Sequence, residues 1–464
     1  MVIRNVARVL ALIGAFASLG FLVWAFSLHG TIGLFKVNGT FHGIFLTVLV
    51  YGILCLLVGI GLKFWPRPSS KRNKLAATIV ILFSLPALIA PSGAFYYTSG
   101  LFSGGLGDTA PQLMLTDTTG TYGTPDLAIT FTTTKASSNL LTWGFIGSSS
   151  PDVIRENKTS RDHVFVLSNL VPGEEYFYQI NQEIRRTFFS PEIGTELHFA
   201  VGSDAHFGAV DADGEATIKM LTSIEQATDR FDAFFFLGDL VENGFSPTEW
   251  QEAMDTMSTI SSSIPVSLAV GNHDTLFSGL KFYEQVGSPA GLEQQSGSQL
   301  WRRIDIGKIH FLILDVEWSA ESITPAQTNW LEAQLQNIPS SEWKIVMCHG
   351  FFYSSGSFGN GWQWYDNQET VSKLAPLFEK YEVDLVFSGH NHQLELLQHN
   401  GVTYAICGAF GGASDLNRNY TSPVSLWYLN DESGFIDVKI TGNSCSLTFR
   451  SANFDALSNF VIAK

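Results

Sequence analysis

The sequence predicts an α/β core that follows a small all-β domain and three transmembrane helices. Three observations lead to this fold class: long uncharged runs in the first quarter of the chain, short alternating strands after residue 111, and apolar strands that alternate with helices after residue 193. The length of 464 residues also exceeds one ordinary domain of roughly 100–200 residues. We therefore expect several structural units.

The charge is distributed unevenly along the chain. The formal net charge is −16, but residues 1–107 contain no Asp or Glu and eight Lys or Arg, which gives +8. The remainder holds 19 cations against 43 acids, which gives −24. This asymmetry predicts two environments. The acidic part argues against general nucleic-acid binding, because affinity for a phosphate backbone depends on clustered Lys and Arg.

Three uncharged runs, residues 9–28, 44–62 and 75–97, are each long enough to cross a hydrocarbon core about 30 Å thick. They predict a membrane anchor over residues 1–97, with the lipid bilayer as its partner. Buried core helices are a weaker interpretation, because helices of soluble proteins have a polar face. A transporter or channel is also disfavoured, because the runs contain no ionisable side chain of the kind that transport pathways use.

The cations of this part predict its orientation. The connection between the second and third runs carries a cluster of them, namely Lys63, Arg67, Lys71, Arg72 and Lys74. By the positive-inside rule this connection and the amino terminus are cytoplasmic, which predicts a multi-pass protein of the cell membrane with residue 98 onward outside. A cleaved signal peptide over residues 1–28 is the rival interpretation, although its apolar run exceeds the usual 7–15 residues. Residues 98–110, rich in Gly and Ser, read as a linker.

Residues 111–192 contain short alternating strands with turn signals and no helical stretch, which predicts a β-sandwich of about 80 residues. The strands are expected at 127–134, 139–145, 163–170 and 175–181. The segment from Leu170 to Tyr178 reads L-V-P-G-E-E-Y-F-Y and resembles the L-x-P-G-x-x-Y-x-Y corner of fibronectin type III-like domains. We interpret this domain as a scaffold or spacer.

Residues 193–464 change to a pattern of strand, helix, strand. Apolar strands are expected at 197–202, 233–238, 264–271, 309–315, 343–348 and 383–389, and helices at 217–231, 325–338 and 367–382. Apolar strands buried on both faces and alternating with helices indicate a covered α/β core.

Each of these strands except one is followed by side chains that commonly bind metals. They are Asp204 and His206, Asp239, the Asn272-His273-Asp274 triplet, His349, and the pair His390 and His392. Because the loops at the carboxyl ends of strands in open α/β sheets converge on one crevice, these residues are expected to share a site. A single His after a strand is usually a core or capping residue, so the prediction depends on the whole ordered set.

The order D-x-H, G-D, G-N-H-D, H, G-H-x-H resembles that of the calcineurin-like metallophosphoesterase superfamily, and most of all its purple acid phosphatase branch. Residues 347–356, 381–390 and 404–413 and the fibronectin type III-like domain are also similar to that branch. The resemblance implies a β-sandwich core flanked by helices, a phosphate-ester substrate and a catalytic domain over residues 193–464, which the predicted topology places outside the cytoplasm.

The resemblance also implies a dinuclear centre. Asp204, His206, Asp239 and His392 would bind the first ion, and Asp239, Asn272, His349 and His390 the second. Oxygen and imidazole ligands without thiolate suit two divalent ions of Mn, Fe, Zn, Ni or Co.

Two neighbouring residues complete the expected chemistry. His273 would contact the phosphate together with Asn272 and stabilise the transition state or protonate the leaving group, and Asp274 would orient the His273 imidazole.

The chain departs from the purple acid phosphatases at two ligand positions. His206 stands where that branch has Gly, and Glu242 stands where its iron-binding Tyr would be, so a colourless enzyme with divalent ions is expected. Gly350-Phe351 replaces the usual Arg-Pro, which changes the substrate contacts. The aromatic residues Trp362, Trp364 and Tyr365 are candidates either for stacking on a nucleoside or sugar or for packing over their Gly-rich loop.

The sequence leaves several functional alternatives open. Phosphomonoesters and phosphodiesters are both compatible with the motifs. A surface binding or adhesion protein with a vestigial phosphatase fold is a different class of function, although the complete ligand set speaks against it. The oligomeric state is not predicted.

Overall fold

The structure is a computed structural model that describes residues 2–36, 39–64, 91, 94, 98, 105–194, 196–288, 295–359 and 362–464. The chain divides into two compact units, one of Met1–Gly104 with Leu276–Gly279 and one of Gly105–Thr275 with Leu280–Lys464. The side chains of the candidate site all belong to the second unit.

Two helices, α1 (Val2–Lys36) and α2 (Gly39–Phe64), pack on each other in the first unit. Phe21 and Cys55 are buried there. The helices approach closely at Gly52, where an added Cβ would lie 2.7 Å from the Cβ of Ser18. This contact requires a glycine, since real Cβ atoms essentially never come so close.

The predicted transmembrane helices are not upheld. Within the described residues, no helix is long and apolar enough to span a membrane. The predictions of membrane-spanning runs at 9–28 and 44–62 and of a multi-pass location in the cell membrane are therefore wrong, and most of the third run, 75–97, lies outside the described residues.

After residue 105 strands come first, and strands alternate with helices only over residues 196–388. The strands are β1 Gln112–Thr119, β2 Pro125–Ser137, β3 Leu140–Phe145, β4 Asp152–Arg155, β5 Ser160–Leu167, β6 Glu175–Ile180, β7 Arg186–Phe189, β8 Glu196–Gly202, β9 Ala233–Phe236, β10 Val266–Leu268, β11 Arg302–Ile306, β12 Ile309–Ile313, β13 Trp343–Met347, β14 Phe358–Gly359, β15 Trp362–Gln363, β16 Leu385–Ser388, β17 Leu394–His399, β18 Val402–Cys407, β19 Ser425–Leu429, β20 Gly434–Thr441, β21 Ser444–Ser451 and β22 Ala456–Ala463. The helices are α3 Gly214–Glu225, α4 Pro247–Ser261, α5 Gly279–Val286, α6 Pro325–Asn337 and α7 Gln368–Lys380.

Four of these helices begin at a side chain that caps the backbone. An oxygen of the residue before the helix accepts the N–H three positions later, which satisfies a donor that the first turn leaves free. The capping residues are Asp213, Ser246, Thr324 and Asn367. In α4 and α6 the cap is followed directly by Pro, whose fixed φ suits the first helical position.

Two large sheets face each other as a β-sandwich. One has the order β22-β21-β20-β8-β9-β10-β1-β2-β5 and the other β11-β12-β13-β16-β18-β17-β19. Phe199 and Phe235 of the first sheet pack on Phe311 of the second, with ring centroids 5.2 and 4.4 Å apart. Helices α3 and α4 cover the outer face of the first sheet, and α6 and α7 that of the second. The predicted mixed α/β core flanked by helices is observed.

The strands of residues 111–192 divide between two sheets. A separate four-stranded sheet has the order β4-β3-β6-β7, whereas β1, β2 and β5 extend the nine-stranded sheet. The junction is a parallel pairing of β1 with β10, in which Met114 lies opposite Val266. In the predicted corner, the Tyr176 hydroxyl accepts the backbone N–H of Val171 at 2.9 Å. The domain boundary near residue 192 stays a prediction.

Candidate metal centre

The predicted ligands lie at the carboxyl ends of adjacent strands. Asp204 and His206 follow β8, Asp239 follows β9, the Asn272 triplet follows β10, His349 follows β13, and His390 and His392 lie between β16 and β17. Four of these residues have a positive φ, which non-glycine residues rarely adopt, namely Asp204 (65°), His206 (48°), Asp239 (51°) and His390 (69°). Such strain is typical of functional sites, because the surrounding structure must hold it in place.

Two glycines allow the loops to approach one another at this edge. An added Cβ at Gly271 would lie 2.2 Å from the backbone nitrogen of Asp239, and one at Gly389 would lie 2.0 Å from the Oγ of Ser203. Neither contact is possible for a residue with a side chain. The close packing of these loops therefore depends on the glycines of the G-N-H-D and G-H-N-H motifs.

The first ligand group consists of Asp204, His206 and His392. The Nε2 atoms of the two imidazoles are 3.0 Å apart, and Asp204 Oδ1 lies 3.7 Å from His206 Nε2 and 3.4 Å from His392 Nε2. Asp204 Oδ1 is fully buried and accepts no hydrogen bond among the described residues. Its other oxygen, Oδ2, accepts the backbone N–H of His390 at 2.9 Å.

The second ligand group consists of Asp239, His349, His390 and Asn272. His349 Nε2 lies 3.2 Å from Asp239 Oδ2, 3.2 Å from Asn272 Oδ1 and 3.1 Å from His390 Nδ1. Asp239 Oδ2 is also 3.6 Å from Nε2 of His206, in the first group. One carboxylate oxygen thus lies between the two groups, as a bridging ligand requires.

These atoms fit a dinuclear centre of divalent ions. Ligands about 2.0–2.2 Å from one ion lie roughly 3–3.5 Å from one another. The distances within the two groups are close to this spacing, from 3.0 to 3.7 Å. Imidazole nitrogens that face each other in two pairs, at 3.0 and 3.1 Å, are held more favourably by a shared cation than by each other. The nitrogen and oxygen donors, with no thiolate among the described ligands, suit first-row divalent ions.

Charge within the site shifts several pKa values. Burial disfavours a charged imidazole, but nearby carboxylates outweigh it and raise the pKa of His349 to about 9 and of His392 to about 10. Burial likewise opposes ionisation of Asp204 and Asp239, yet the imidazoles hold both pKa values well below the usual range. The carboxylates are therefore ready to bind cations at neutral pH.

Glu242, and not Asp274, holds the His273 imidazole. The Nδ1 atom of His273 donates to the backbone oxygen of Glu242 at 2.8 Å and lies 3.3 Å from its Oε2. The same Oε2 is 2.8 Å from Nδ1 of His206. Burial opposes charge on His273, but Asp239 and Glu242 raise its pKa to about 9. The role of Glu242 was missed from the sequence, although an acid three residues after Asp239 was a visible signal.

Asp274 fixes the backbone of the neighbouring loops. Its Oδ1 accepts the N–H groups of Leu240 at 2.9 Å and Val241 at 3.3 Å, and its Oδ2 accepts that of Gly271 at 3.0 Å. It is fully buried, and burial raises its pKa to about 7. The carboxylate therefore ties the loop after β9 to the loop after β10.

Of the aromatic candidates, Trp364 lies beside the centre. Its ring stacks 5.9 Å from the His390 ring and contacts Trp318 at 5.0 Å. Tyr365 stacks instead on Tyr420 at 4.1 Å, which is internal packing. The backbone of Trp362 belongs to β15, but its side chain is not among those described.

Two residues that were not among the aromatic candidates, Trp318 and Phe351, also lie beside His390. The ring of Trp318 lies 4.2 Å from that of His390, and Phe351 stacks on His390 at 5.8 Å. An added Cβ at Gly350 would lie 2.8 Å from the carbonyl oxygen of Trp318. The Trp318 backbone therefore leaves no room for a side chain at position 350, where this chain has Gly in place of the Arg of the Arg-Pro pair.

Comparison with known proteins agrees with this geometry. The model of the calcineurin-like phosphoesterase family matches residues 197–394. Similar curated proteins include "Probable inactive purple acid phosphatase 24" of Arabidopsis thaliana, 23% identical over 61% of this chain and 54% of that protein. "Purple acid phosphatase 1" of Ipomoea batatas is 24% identical over 78% of this chain and 80% of that protein.

The solved purple acid phosphatase PPD1 of yellow lupin (Lupinus luteus) has a similar fold, with a TM-score of 0.65. It shows 17% identity, and the match covers 77% of this chain and 74% of that one. The chain spans about half the length of the first curated relatives it matches, at 54%, 47% and 61%. The resemblance found in the sequence is confirmed: the chain contains a calcineurin-like metallophosphoesterase domain similar to those of the purple acid phosphatases.

Proposed function

We propose that the protein hydrolyses phosphate esters at a centre of two divalent metal ions. The observation that carries this proposal is the position of Asp239 Oδ2, which is 3.6 Å from a nitrogen of one ligand group and 3.2 Å from a nitrogen of the other. A carboxylate placed in this way can bridge two ions. Relatives named as purple acid phosphatases support the same reaction class.

Two bound ions supply the positive charge that attracts the phosphate and lowers the pKa of water. Among the described residues, Asp204 and Asp239 form ion pairs only with imidazoles. No Lys or Arg of that part of the chain therefore pairs with either carboxylate in place of a metal ion. When metal ions take the place of the protons on these imidazoles, the site keeps the positive charge that attracts a phosphate ester. We favour Mn, Fe, Zn, Ni or Co in the divalent state.

His273 is the proposed acid for the leaving group. Its Nδ1 is held by Glu242 at 2.8 Å, so its Nε2 is the nitrogen available to a substrate. The backbone N–H of His273 also donates to Asp239 Oδ1 at 2.8 Å, which fixes the residue against the bridging carboxylate. In the metal-free site Asp239 and Glu242 raise the pKa of His273 to about 9, and Glu242, which is not among the proposed ligands, favours the protonated imidazole that a proton donor requires.

The test is simultaneous substitution of Asp239→Asn and His390→Ala, with Asp437→Asn as a matched control. Asp437 is a buried carboxylate that bonds His198 and Arg450 rather than the metal centre. Phosphate release from p-nitrophenyl phosphate and nitrophenol release from bis(p-nitrophenyl) phosphate compare a monoester and a diester with one leaving group. We expect the double variant to lose turnover and the control to keep it.

Unfolding transitions recorded for each protein separate loss of chemistry from loss of fold. Unchanged turnover in the folded double variant would exclude the proposed centre. A wild-type protein that binds its ions but hydrolyses neither ester would instead favour a binding protein with a vestigial phosphatase fold. That second function has one observation in its favour, the word "inactive" in the name of a similar protein.

A further inference from the structure

A group of polar side chains lies buried behind the metal centre. It consists of Ser354, Ser355, Asn391, Gln393 and Glu395, each no more than 1% exposed, and we call it the Glu395 network. Ser354 and Ser355 lie in the loop that carries His349, and Asn391 and Gln393 in the loop that carries His390 and His392. Glu395 lies in β17, directly after that second loop. Buried polar groups persist only when they are hydrogen-bonded, so these contacts are specific.

The Glu395 carboxylate is the central acceptor of this network. Its Oε2 accepts the backbone N–H of Ser355 at 2.8 Å and the Nε2–H of Gln393 at 2.8 Å, and its Oε1 accepts the hydroxyl of Ser355 at 2.6 Å. Hydrogen bonds to a carboxylate are shorter and stronger than those between neutral groups. Glu395 thereby fastens the loop after β13 to the first residues of β17.

Asn391 brings the network directly to the ligands, because it is the residue between His390 and His392. Its side-chain Nδ2 donates to the Ser354 hydroxyl at 2.7 Å and to the backbone oxygen of Trp364 at 3.2 Å. Gln393, on the other side of His392, donates to the same Ser354 hydroxyl at 2.9 Å. Both neighbours of His392 are therefore anchored to one hydroxyl.

One backbone contact joins the same two loops nearer the centre. The N–H of Gly389 donates to the backbone oxygen of His349 at 2.9 Å. The two loops are thus held together at the ligands by this bond and behind the ligands by Glu395. The 3.1 Å separation of His349 Nε2 from His390 Nδ1 depends on the relative position of these loops.

We propose that Glu395 is a positioning residue that sets the distance between His349 and His390 through Ser355 and Gln393, and so determines affinity for the second metal ion. This inference rests on the proposed function, because it assumes that the two ligand groups bind ions. It concerns a residue that touches neither ligand.

The network predicts an unequal effect on the two ions. The second ligand group takes both His349 and His390 from the loops that Glu395 joins, whereas the first takes only His392. Loss of Glu395 separates the donors of the second group from each other. Residues that support metal ligands from behind typically change metal affinity by about 10–100-fold.

Three variants isolate this effect. Glu395→Ala removes the acceptor of these hydrogen bonds and of a longer one from the Ser354 hydroxyl at 3.5 Å, and Ser355→Ala removes only the Ser355 hydroxyl. Glu395→Gln is the matched control, because its amide oxygen can occupy the position of Oε2 and keep the bonds from Ser355 N–H and Gln393. The amide nitrogen of the new Gln side chain then faces the Ser355 hydroxyl. That oxygen accepts the backbone N–H of Ser422 and can accept a second N–H from the amide.

The measurement is a titration of the metal-stripped full chain with Mn²⁺ alone, in which free Mn²⁺ is followed by electron paramagnetic resonance. We expect two bound ions in the wild type and, in Glu395→Ala, a 10–100-fold loss of affinity at one of the two sites. Affinity at the other site should change by less than about threefold. Ser355→Ala should lie between the two, and Glu395→Gln should stay close to the wild type.

Two results would overturn the proposal. One is a Glu395→Ala protein that binds both ions as the wild type does, and the other is an equal loss at both sites, which would indicate general loosening of the fold. If Glu395→Ala does not fold, the milder Ser355→Ala decides by the same criteria. A wild-type chain that binds no Mn²⁺ contradicts the proposed function itself, and is thereby distinguished from a failure seen only in the variants.

Discussion

Glu242 shows how one side chain can serve two histidines. Its Oε2 lies 2.8 Å from His206 Nδ1 and 3.3 Å from His273 Nδ1, so a single carboxylate orients a candidate ligand and the candidate acid. Burial opposes its ionisation, but the two imidazoles lower its pKa to about 2. With a carboxylate here in place of tyrosine, a divalent and colourless centre remains the expectation.

His273 allows the role of acid to be tested separately from metal binding. In His273→Asn the phosphate-binding position loses its proton donor, and we expect hydrolysis to slow by about 10²–10⁴ while the metal content stays at the wild-type level. The matched control is His399→Asn, since His399 packs on Tyr353 outside the centre. Steady-state rates with metal analysis of the same samples provide the measurement.

A His273→Asn protein that hydrolyses esters at the wild-type rate would remove the residue from the mechanism. Equal losses of metal and of rate would instead make it a ligand, which would contradict its assigned role.

Among the structural elements, the loops at the carboxyl ends of the strands contain the candidate metal ligands. The apolar runs predicted the strands that precede Asp204, Asp239 and His349 correctly, because a run of buried residues bounded by glycine has few alternatives. The parallel pairing of β1 with β10 was not predictable, since alternation in one strand does not reveal its partner. The predicted helix at 217–231 begins earlier, at Gly214, where Asp213 caps it.

The loops between these elements depend on particular glycines. Gly271→Ala would place a Cβ 2.2 Å from the backbone nitrogen and Oδ1 of Asp239, so we expect lower thermal stability and weaker metal binding. The control is Gly214→Ala at the start of α3, where no atom lies within 4 Å. That change should be neutral or stabilise by up to about 1 kcal/mol.

Thermal unfolding with and without Mn²⁺ compares the two glycine variants. If Gly271→Ala retains wild-type stability and Mn²⁺ affinity, the close packing described for the loops after β9 and β10 is incorrect.

The site was largely predictable from the sequence, but its supporting residues were not. The ordered motifs name each candidate ligand because chemistry limits the residue types, and the strand ends bring these side chains close together. Motifs do not show the direction of a side chain. The sequence therefore predicted that Asp274 orients the His273 imidazole, whereas in the structure Glu242 does so. The aromatic contact of Trp318 lies far from the motifs in sequence and became visible only in the fold.

The whole molecule combines a strongly acidic sequence with two groups of side chains that could hold metal ions. In the metal-free state His349 and His392 have pKa values of about 9 and about 10, so both are protonated at pH 7.5. Protons therefore compete with metal ions, and metal affinity should rise as the pH increases towards 9. Binding at pH 7.5 is expected to release about two protons for each pair of ions.

Calorimetric titration with Mn²⁺ in buffers of different ionisation enthalpy measures this release. A binding enthalpy that is the same in every buffer would show that no protons leave, and would contradict the protonated imidazoles inferred for the metal-free site.

The proposal of a dinuclear phosphoesterase is tested most directly by removing and restoring the metal. The full chain is stripped with a chelator, reloaded with Mn²⁺, and assayed at each stage for bound metal and for hydrolysis of the two nitrophenyl esters. The account predicts two ions per chain after reloading, no turnover in the stripped protein and recovery of turnover with the second ion. Hydrolysis that persists without metal, or full loading without hydrolysis of either ester, would contradict it.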